Sequence, residues 1–483
     1  MPEGTNQARF LALHLAAFAG GWTLMMLEIL GGRLMAPHFG YSVYQWGAII
    51  GVVMGFMAAG YWQGGRLGDG PRAVPALRGA LLAAALSAAL TPWLGRPLLA
   101  GAAFEFGPVD GSLFGAAAIL AVPSFALAMV SPICAGLSAR SGTAAAAGRV
   151  YAVGTLGSIG GTFFASFYAI PELGLSAGYA IATLVPALAL LLVPGGRPRG
   201  VAVALLAPLA WAAALWEGQG FAVYRETPHN TIMVRETAEE ITLHLNTPWI
   251  TQSRIRKDGS ATGLYYDLFA AAPALAEGRR VLVLGLAGGA ITRGIRAAWP
   301  DSDLLGVELD AEVVEVARER FGLEGVRVEV ADARRHVETS SELHDVIIVD
   351  LYSTAAIPFF TATAEFFQAV ERRLAPGGVL MMNVVALEER DRLLGPLAAT
   401  QATAFPTVFA ADARIGNHIL IATKEPREAE DLRRRLESVP PAAAEAAARL
   451  AATLERMDTA GFPVLTDDHS DIDLRSLAAL YGE

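Results

Sequence analysis

Residues 279–310 read RRVLVLGLAGGAITRGIRAAWPDSDLLGVELD. A buried strand runs into a glycine turn, the turn into a helix, and the helix into a second strand that ends in an acid. That order predicts the first half of a nucleotide-binding βαβ unit. Glycines at Gly285, Gly288 and Gly289 let the backbone approach a ligand closely, and Glu308 at the end of the second strand is placed to bind both hydroxyls of a ribose. Such a unit belongs to a parallel, doubly wound sheet.

The chain before about Trp216 has a different texture. Over the 483 residues the apolar share is 53%, high for a water-soluble protein, and mean hydropathy is +0.41. The excess lies in the first half. Apolar segments near 11–35, 43–63, 76–94, 112–138, 150–170, 174–193 and 200–216 are candidates to cross a bilayer, which takes roughly 20 residues each. The expectation is an α-helical membrane bundle of about seven spans over 1–217. The first apolar run has no small-residue cleavage site, so it reads as a retained span. Gly154, Gly157, Gly160 and Gly161 suit close helix packing in lipid. Glu28 and Arg33 lie deep in the first span, either as a structural ion pair or as functional groups. The run Gly64-Gly65-Arg66-Leu67-Gly68-Asp69 reads as an interfacial turn or a fragment of a transporter-type loop.

After the last apolar segment, 218–274 reads as a small antiparallel β subdomain with strands at Phe221–Glu226, Thr231–Glu236 and Glu240–Leu245. Residues 275–425 alternate strands (281–284, 304–308, 326–330, 346–350, 379–384) with helices (289–298, 311–320, 363–373). That is an α/β Rossmann-like domain. Ligands bind at the carboxyl ends of such strands, which here carry Gly285, Glu308, Asp332 and Asp350. Asp332 can also cap the helix that starts at Ala333. Residues 426–483 read as a helical extension.

Composition excludes some classes. A net charge of −10 argues against non-specific nucleic-acid binding. The single cysteine, Cys134, cannot form an intramolecular disulfide, and the histidines show no metal spacing.

Taken in order, these motifs resemble the polyamine aminopropyltransferases, or spermidine synthases, and more closely the bacterial subgroup with a multi-span membrane domain in front. The resemblance runs from the Pro228-His229-Asn230 turn through Gln252-Ser253 and Tyr265 to the βαβ core and ends at Leu465-Thr466-Asp467-Asp468. In the apolar half it takes in Glu28 with Arg33, Gly64–Asp69 and Tyr151–Gly161 followed by Pro171 and Gly174. It implies an S-adenosylmethionine-type transferase fold and transfer of an aminopropyl group from decarboxylated S-adenosylmethionine to a small amine. Methylthioadenosine is then released and no metal is required.

By position the resemblance assigns Glu308 to the ribose and Asp332 with Ala333 to the adenine. Gln252 falls beside the nucleoside, Tyr265 at the gate and Asp350 at the attacking amine. Asn230, Tyr266, Asp467 and Asp468 fall where the amine would bind. It also allows a homodimer. The sequence departs from the family's pattern at Gly288 and Ser353, where acids are usual, and at Tyr266, where histidine is frequent. Loss of the acid at Gly288 leaves room for a donor that keeps its carboxylate, S-adenosylmethionine itself. A methyltransferase, a lyase, or a nucleoside-gated transporter or sensor stays open beside the transferase.

Loop charges predict a multi-pass protein of the inner membrane. Arg66, Arg72 and Arg78, then Arg140 and Arg149, then Arg197 and Arg199 fall in alternate loops. Glu105, Asp110 and Glu172 fall in the others, with Arg96 an exception. The positive-inside rule places the Arg loops and the N-terminus in the cytoplasm. Seven spans then put the second half outside, whereas a cytoplasmic adenosyl donor asks for an even number.

Overall fold

The computed structural model describes residues 3–40, 42–139, 144–194, 196–354, 356–386 and 391–481. Arg140 lies outside them, as does the side chain of Arg197. The chain forms two compact units. One is Met1–Gln219 with Glu226–Pro228, the other Gly220–Arg225 with His229–Glu483.

The first unit is helical: α1 (Glu3–Phe39), α2 (Val43–Gly68), α3 (Ala73–Ala139), α4 (Ala144–Phe164), α5 (Leu175–Leu192), α6 (Arg197–Ala204) and α7 (Ala207–Glu217). Among the described residues, five helices are long and apolar enough to cross a membrane. One of them, α3, is broken at Gly107 (φ 68°, ψ −172°), with Pro108 next in sequence. A positive φ followed by proline cannot continue a helix. Each half of α3 keeps about 33 residues, roughly 50 Å of helix, so each is long enough to cross alone.

The last apolar segment differs from expectation. It divides at Leu205–Leu206 into α6 and α7, of 8 and 11 residues. At about 1.5 Å per residue neither reaches across a hydrocarbon core of roughly 30 Å. Counting the two halves of α3 separately, six described segments are each long enough to cross a bilayer, and α6 and α7 follow one another across a single turn. Large apolar side chains are exposed on these helices, among them Met54 (64% exposed), Trp62 (64%) and Phe167 (74%).

The glycines of α4 are a packing seam. A Cβ on Gly157 would lie 2.2 Å from the Phe18 carbonyl oxygen, and one on Gly161 would lie 2.1 Å from that of Trp22. Gly64 to Gly68 do not form the expected turn: α2 runs through them, and a Cβ on Gly64 would meet the Met129 carbonyl oxygen at 2.7 Å. Arg33 donates to the Thr227 carbonyl (3.4 Å), and among the described residues Glu28 and Arg33 form no ion pair with each other.

The second unit opens with an antiparallel sheet in the order β1 (Val223–Glu226), β2 (Thr231–Glu236), β3 (Glu240–Leu245), β4 (Ser253–Arg256). A 3-10 helix (Tyr265–Ala271) and α8 (Ala272–Leu275) lead into the main sheet. There β5 (Arg280–Leu284), α9 (Ala290–Ala298), β6 (Asp303–Glu308), α10 (Ala311–Phe321), β7 (Arg327–Val330), α11 (Ala333–Thr339), β8 (His344–Val349), α12 (Ala364–Arg373) and β9 (Leu374–Val385) alternate. Then come α13 (Asp391–Gln401), β10 (Thr407–Asp412), β11 (Asn417–Thr423), α14 (Ala429–Leu436), α15 (Ala444–Thr453), β12 (Glu455–Arg456) and α16 (Ile472–Tyr481).

The eight strands lie in the order β12-β10-β11-β9-β8-β5-β6-β7. β5 to β9 are parallel, and β10 to β12 add an antiparallel edge. That edge is not visible as a βα alternation. The residues after Glu425 supply β12 and put Leu432, Leu436 and Leu450 into the core beside Val281, Val283 and Ile348. The opposite face packs Leu282, Leu284, Ile347 and Val349 against Phe366 and Phe367 of α12. Both faces are covered, which is why these strands are continuous apolar runs.

Candidate functional site

Strand register assembles the site. Leu284 of β5 pairs with Val307 of β6 and with Val349 of β8. The next residue of each strand, Gly285, Glu308 and Asp350, therefore falls on one rung at the carboxyl end of the sheet. Neighbouring strands are about 4.8 Å apart, so the two acids flank Gly285 with their backbones roughly 10 Å from each other. Gly285 has φ 87°, and a Cβ there would lie 2.2 Å from the Asp350 carbonyl oxygen. Only glycine fits between the acids.

Glu308 is buried, and its carboxylate organises the glycine turn. Ala287 N donates to Oε2 (2.9 Å) and Asp310 N to Oε1 (3.2 Å). Ala287 holds φ 46° without being glycine. Burial raises the Glu308 pKa against these two backbone donors. Each oxygen keeps a further lone pair, enough for two ribose hydroxyls. Beyond it, Leu309 and Val330 are half exposed at adjacent strand ends. They offer an apolar ledge for a flat ring, and hydropathy alone does not mark them. Asp332 caps α11, its Oδ1 accepting from Arg335 N (2.8 Å), while Oδ2 bonds no described residue. Ala333 is the buried first residue of that helix.

Asp350 is buried and held on both sides. The Tyr265 hydroxyl donates to Oδ2 (2.9 Å) and Asn383 Nδ2 to Oδ1 (2.9 Å). Burial outweighs both bonds and pushes the pKa up to about 6. Burial and the neighbouring carboxylate raise the Tyr265 pKa well above its ordinary value, so this tyrosine stays a donor. Asn383 was not anticipated from the sequence. Its signal is a lone amide in the apolar strand LMMNVV, and its Oδ1 is buried without a partner among the described residues. Tyr352 supports it, donating to the Asn383 carbonyl (3.3 Å) and accepting from Val385 N (2.9 Å).

The remaining candidates divide. Gln252 Nε2 donates to the Thr354 carbonyl (2.8 Å), tying β4 to the loop after β8, where Thr354 has φ 61°. Tyr266 lies beside Tyr265, ring centroids 4.1 Å apart, and bonds the Thr251 carbonyl (3.2 Å). Asn230 donates to Asp310 Oδ2 (2.9 Å) and accepts from Asn246 (3.0 Å), so it braces the cap of α10.

Asp467 is taken up by protein partners. Arg334 grips both its oxygens (2.6 and 2.5 Å) and the Thr363 hydroxyl adds a third bond (2.8 Å). The guanidinium holds its pKa low. This expected amine ligand forms one half of a bidentate pair with Arg334. Asp468 is exposed. Asp267 accepts from Thr262 Oγ1 (3.1 Å) and Gly263 N (2.6 Å).

At Gly288 the space for a side chain is filled. A Cβ would meet Ser253 Oγ at 2.8 Å and Phe321 Cδ1 at 3.0 Å. The missing acid is thus built into the packing of β4 and α10. Among the described residues no group of three His, Cys, Asp or Glu could hold a metal ion.

A methyltransferase-domain profile matches residues 281–378. The chain is 34% identical over 186 residues to a probable polyamine aminopropyl transferase of Bifidobacterium longum, covering 38% of this chain and 41% of that protein. It is 28% identical over 205 residues to polyamine aminopropyltransferase 2 of Pseudomonas aeruginosa, covering 38% and 59%. The chain thus spans between two and three fifths of these relatives' lengths. A probable spermidine synthase from Corynebacterium glutamicum superposes with a TM-score of 0.39 at 24% identity, over 50% of this chain and 99% of that one. The relatives are transferases by name. With the profile, the curated relatives make the second unit an aminopropyltransferase-like and methyltransferase-like α/β domain.

Proposed function

We propose that the second unit moves an aminopropyl-type group from an S-adenosylmethionine-type donor to a small amine. The observation that carries this reading is Asp350: a buried carboxylate with a pKa of about 6, fixed by Tyr265 and Asn383, on the same rung as a buried glutamate suited to a ribose. A protonated amine is no nucleophile. Asp350 binds it and accepts its proton. The freed nitrogen attacks the carbon next to the sulfonium, the carbon–sulfur bond breaks, and its electron pair stays on sulfur as the neutral thioether methylthioadenosine. The leaving group is already activated, so Glu308, Asp332 and Gln252 contribute by positioning the donor. Leu309 and Val330 fit its ring.

The filled space at Gly288 favours a donor that is not read at its amine end, and S-adenosylmethionine itself qualifies alongside the decarboxylated form. The methyltransferase profile supports methyl transfer as the second reading. Products separate the two. Incubation with each donor and a panel of amines should release methylthioadenosine. S-adenosylhomocysteine in its place would establish the methyltransferase, and binding without either product would establish a sensor.

We also propose that the first unit crosses the inner membrane six times. An even count with Arg66, Arg72, Arg78 and Arg149 inside places both the N-terminus and the second unit in the cytoplasm, where adenosyl donors are made. This reverses the orientation that seven spans would give.

A further inference from the structure

In the second unit a groove of about 540 Å³ runs along α9, and neither Glu308 nor Asp350 lines it. Four guanidiniums line it: Arg254 and Arg256 from β4, Arg293 from α9 and Arg449 from α15. Two carboxylates share the lining, Asp267 and Glu445. The balance is four positive charges against two negative, or +2, in a chain whose net charge is −10.

These arginines are poorly neutralised. Among the described residues Arg256, Arg293 and Arg449 have no carboxylate ion pair. Arg293 donates only to the Phe321 carbonyl (3.4 Å) and Arg449 only to that of Ala413 (3.3 Å). Arg254 reaches Glu240 at 3.7 Å, but its Nε is buried without a partner. Asp267 is already engaged by Thr262 and Gly263. Like charges drawn from three elements repel one another, and such a cluster is relieved by an anion that takes several N–H donors at once. Phosphate matches the guanidinium fork in a bidentate manner. The groove's volume falls within the usual range for small-ligand sites, roughly 300–1,000 Å³.

We propose that this groove binds a ligand carrying at least two phosphate charges, supplied by a free phosphorylated molecule or by an anionic lipid headgroup. The groove's lining includes none of Glu308, Asp332 and Asp350. It is nonetheless linked to that chemistry by one short element. Asp267 of the groove and Tyr265, which holds Asp350, lie two residues apart in the same 3-10 helix.

The test uses the full-length chain in detergent. Calorimetric titration with inorganic pyrophosphate at low salt should show saturable binding that weakens as salt is added. The double variant Arg256→Gln/Arg449→Gln should weaken it by at least about tenfold, and Arg256→Lys/Arg449→Lys should recover part of the loss. Arg318→Gln, exposed on α10, should leave binding unchanged. Native mass spectrometry with cardiolipin, whose headgroup carries two phosphodiesters, against phosphatidylcholine supplies the second arm. Variant-sensitive pyrophosphate binding assigns a free ligand, and variant-sensitive retention of cardiolipin alone assigns a headgroup. Equal behaviour of wild type and the double glutamine variant in both arms, with melting curves showing both folded, overturns the proposal.

Discussion

Two buried carboxylates on one rung carry the proposed chemistry, and their environments set them apart. Glu308 meets backbone N–H groups and Asp350 meets two side chains. If Glu308 holds the ribose as proposed, Glu308→Ala removes two charge-assisted bonds, each worth roughly 1.5–3 kcal/mol. Methylthioadenosine affinity should therefore fall at least tenfold by calorimetry, and equal affinity would remove Glu308 from the site.

Asp350 should act on turnover instead. In steady-state assays Asp350→Asn should lower kcat by orders of magnitude and leave methylthioadenosine affinity within a few fold. In the wild type, kcat/KM should rise with pH through about 6 as the base loses its proton. The same shift bears on stability. A folded pKa of about 6 against an ordinary 3.8 means that the folded state binds the proton more tightly. The associated stability is complete below pH 4 and is lost as pH rises through 6, to a total of about 3 kcal/mol. Asp350→Asn, whose amide can donate to the orphaned Asn383 Oδ1, should accordingly raise the melting temperature at pH 8 and not at pH 4. A shift independent of pH would mean that burial of the charge is not the cause.

Among the elements, the contact between α1 and α4 is made by glycines at backbone distance. Gly157→Leu forces a side chain where a Cβ already lies 2.2 Å from the Phe18 carbonyl oxygen. Overpacking costs typically about 1–3 kcal/mol, and a backbone obstacle puts this change at or above that range. Gly148→Leu, on the same helix with nothing within 4 Å, should be tolerated. Thermal unfolding in detergent compares them, and equal melting would show that the seam does not hold α1 against α4. The glycine spacing is visible in the sequence, whereas the partner carbonyls of Phe18 and Trp22 follow only from which helix packs alongside.

For the molecule as a whole, the side of the membrane turns on one segment. Residues 200–216 are apolar enough to be read as a seventh span, yet they fold as two helices of 8 and 11 residues. With six crossings, a C-terminal green fluorescent protein fusion should glow and an alkaline phosphatase fusion should be silent. Phosphatase activity without fluorescence would restore the seventh crossing.

Local chemistry made the framework legible. Strand periodicity, the glycine turn and an acid at a strand end are short-range patterns, and they placed Gly285, Glu308 and Asp350 at the carboxyl edge of a parallel sheet. Capping by Asp332 was likewise readable from its position before Ala333. What depends on neighbours distant in sequence was not legible. Asn383 reaches Asp350 because β9 lies beside β8. Asp467 is taken up because Arg334 stands opposite it, 133 residues earlier. The space at Gly288 is closed by Ser253 and Phe321, and the arginine groove gathers β4, α9 and α15. Pattern along the chain decides which elements form, because backbone preference and burial of one face are local. Which side chains share a site is decided by packing and strand order, because those bring together groups that the sequence keeps apart.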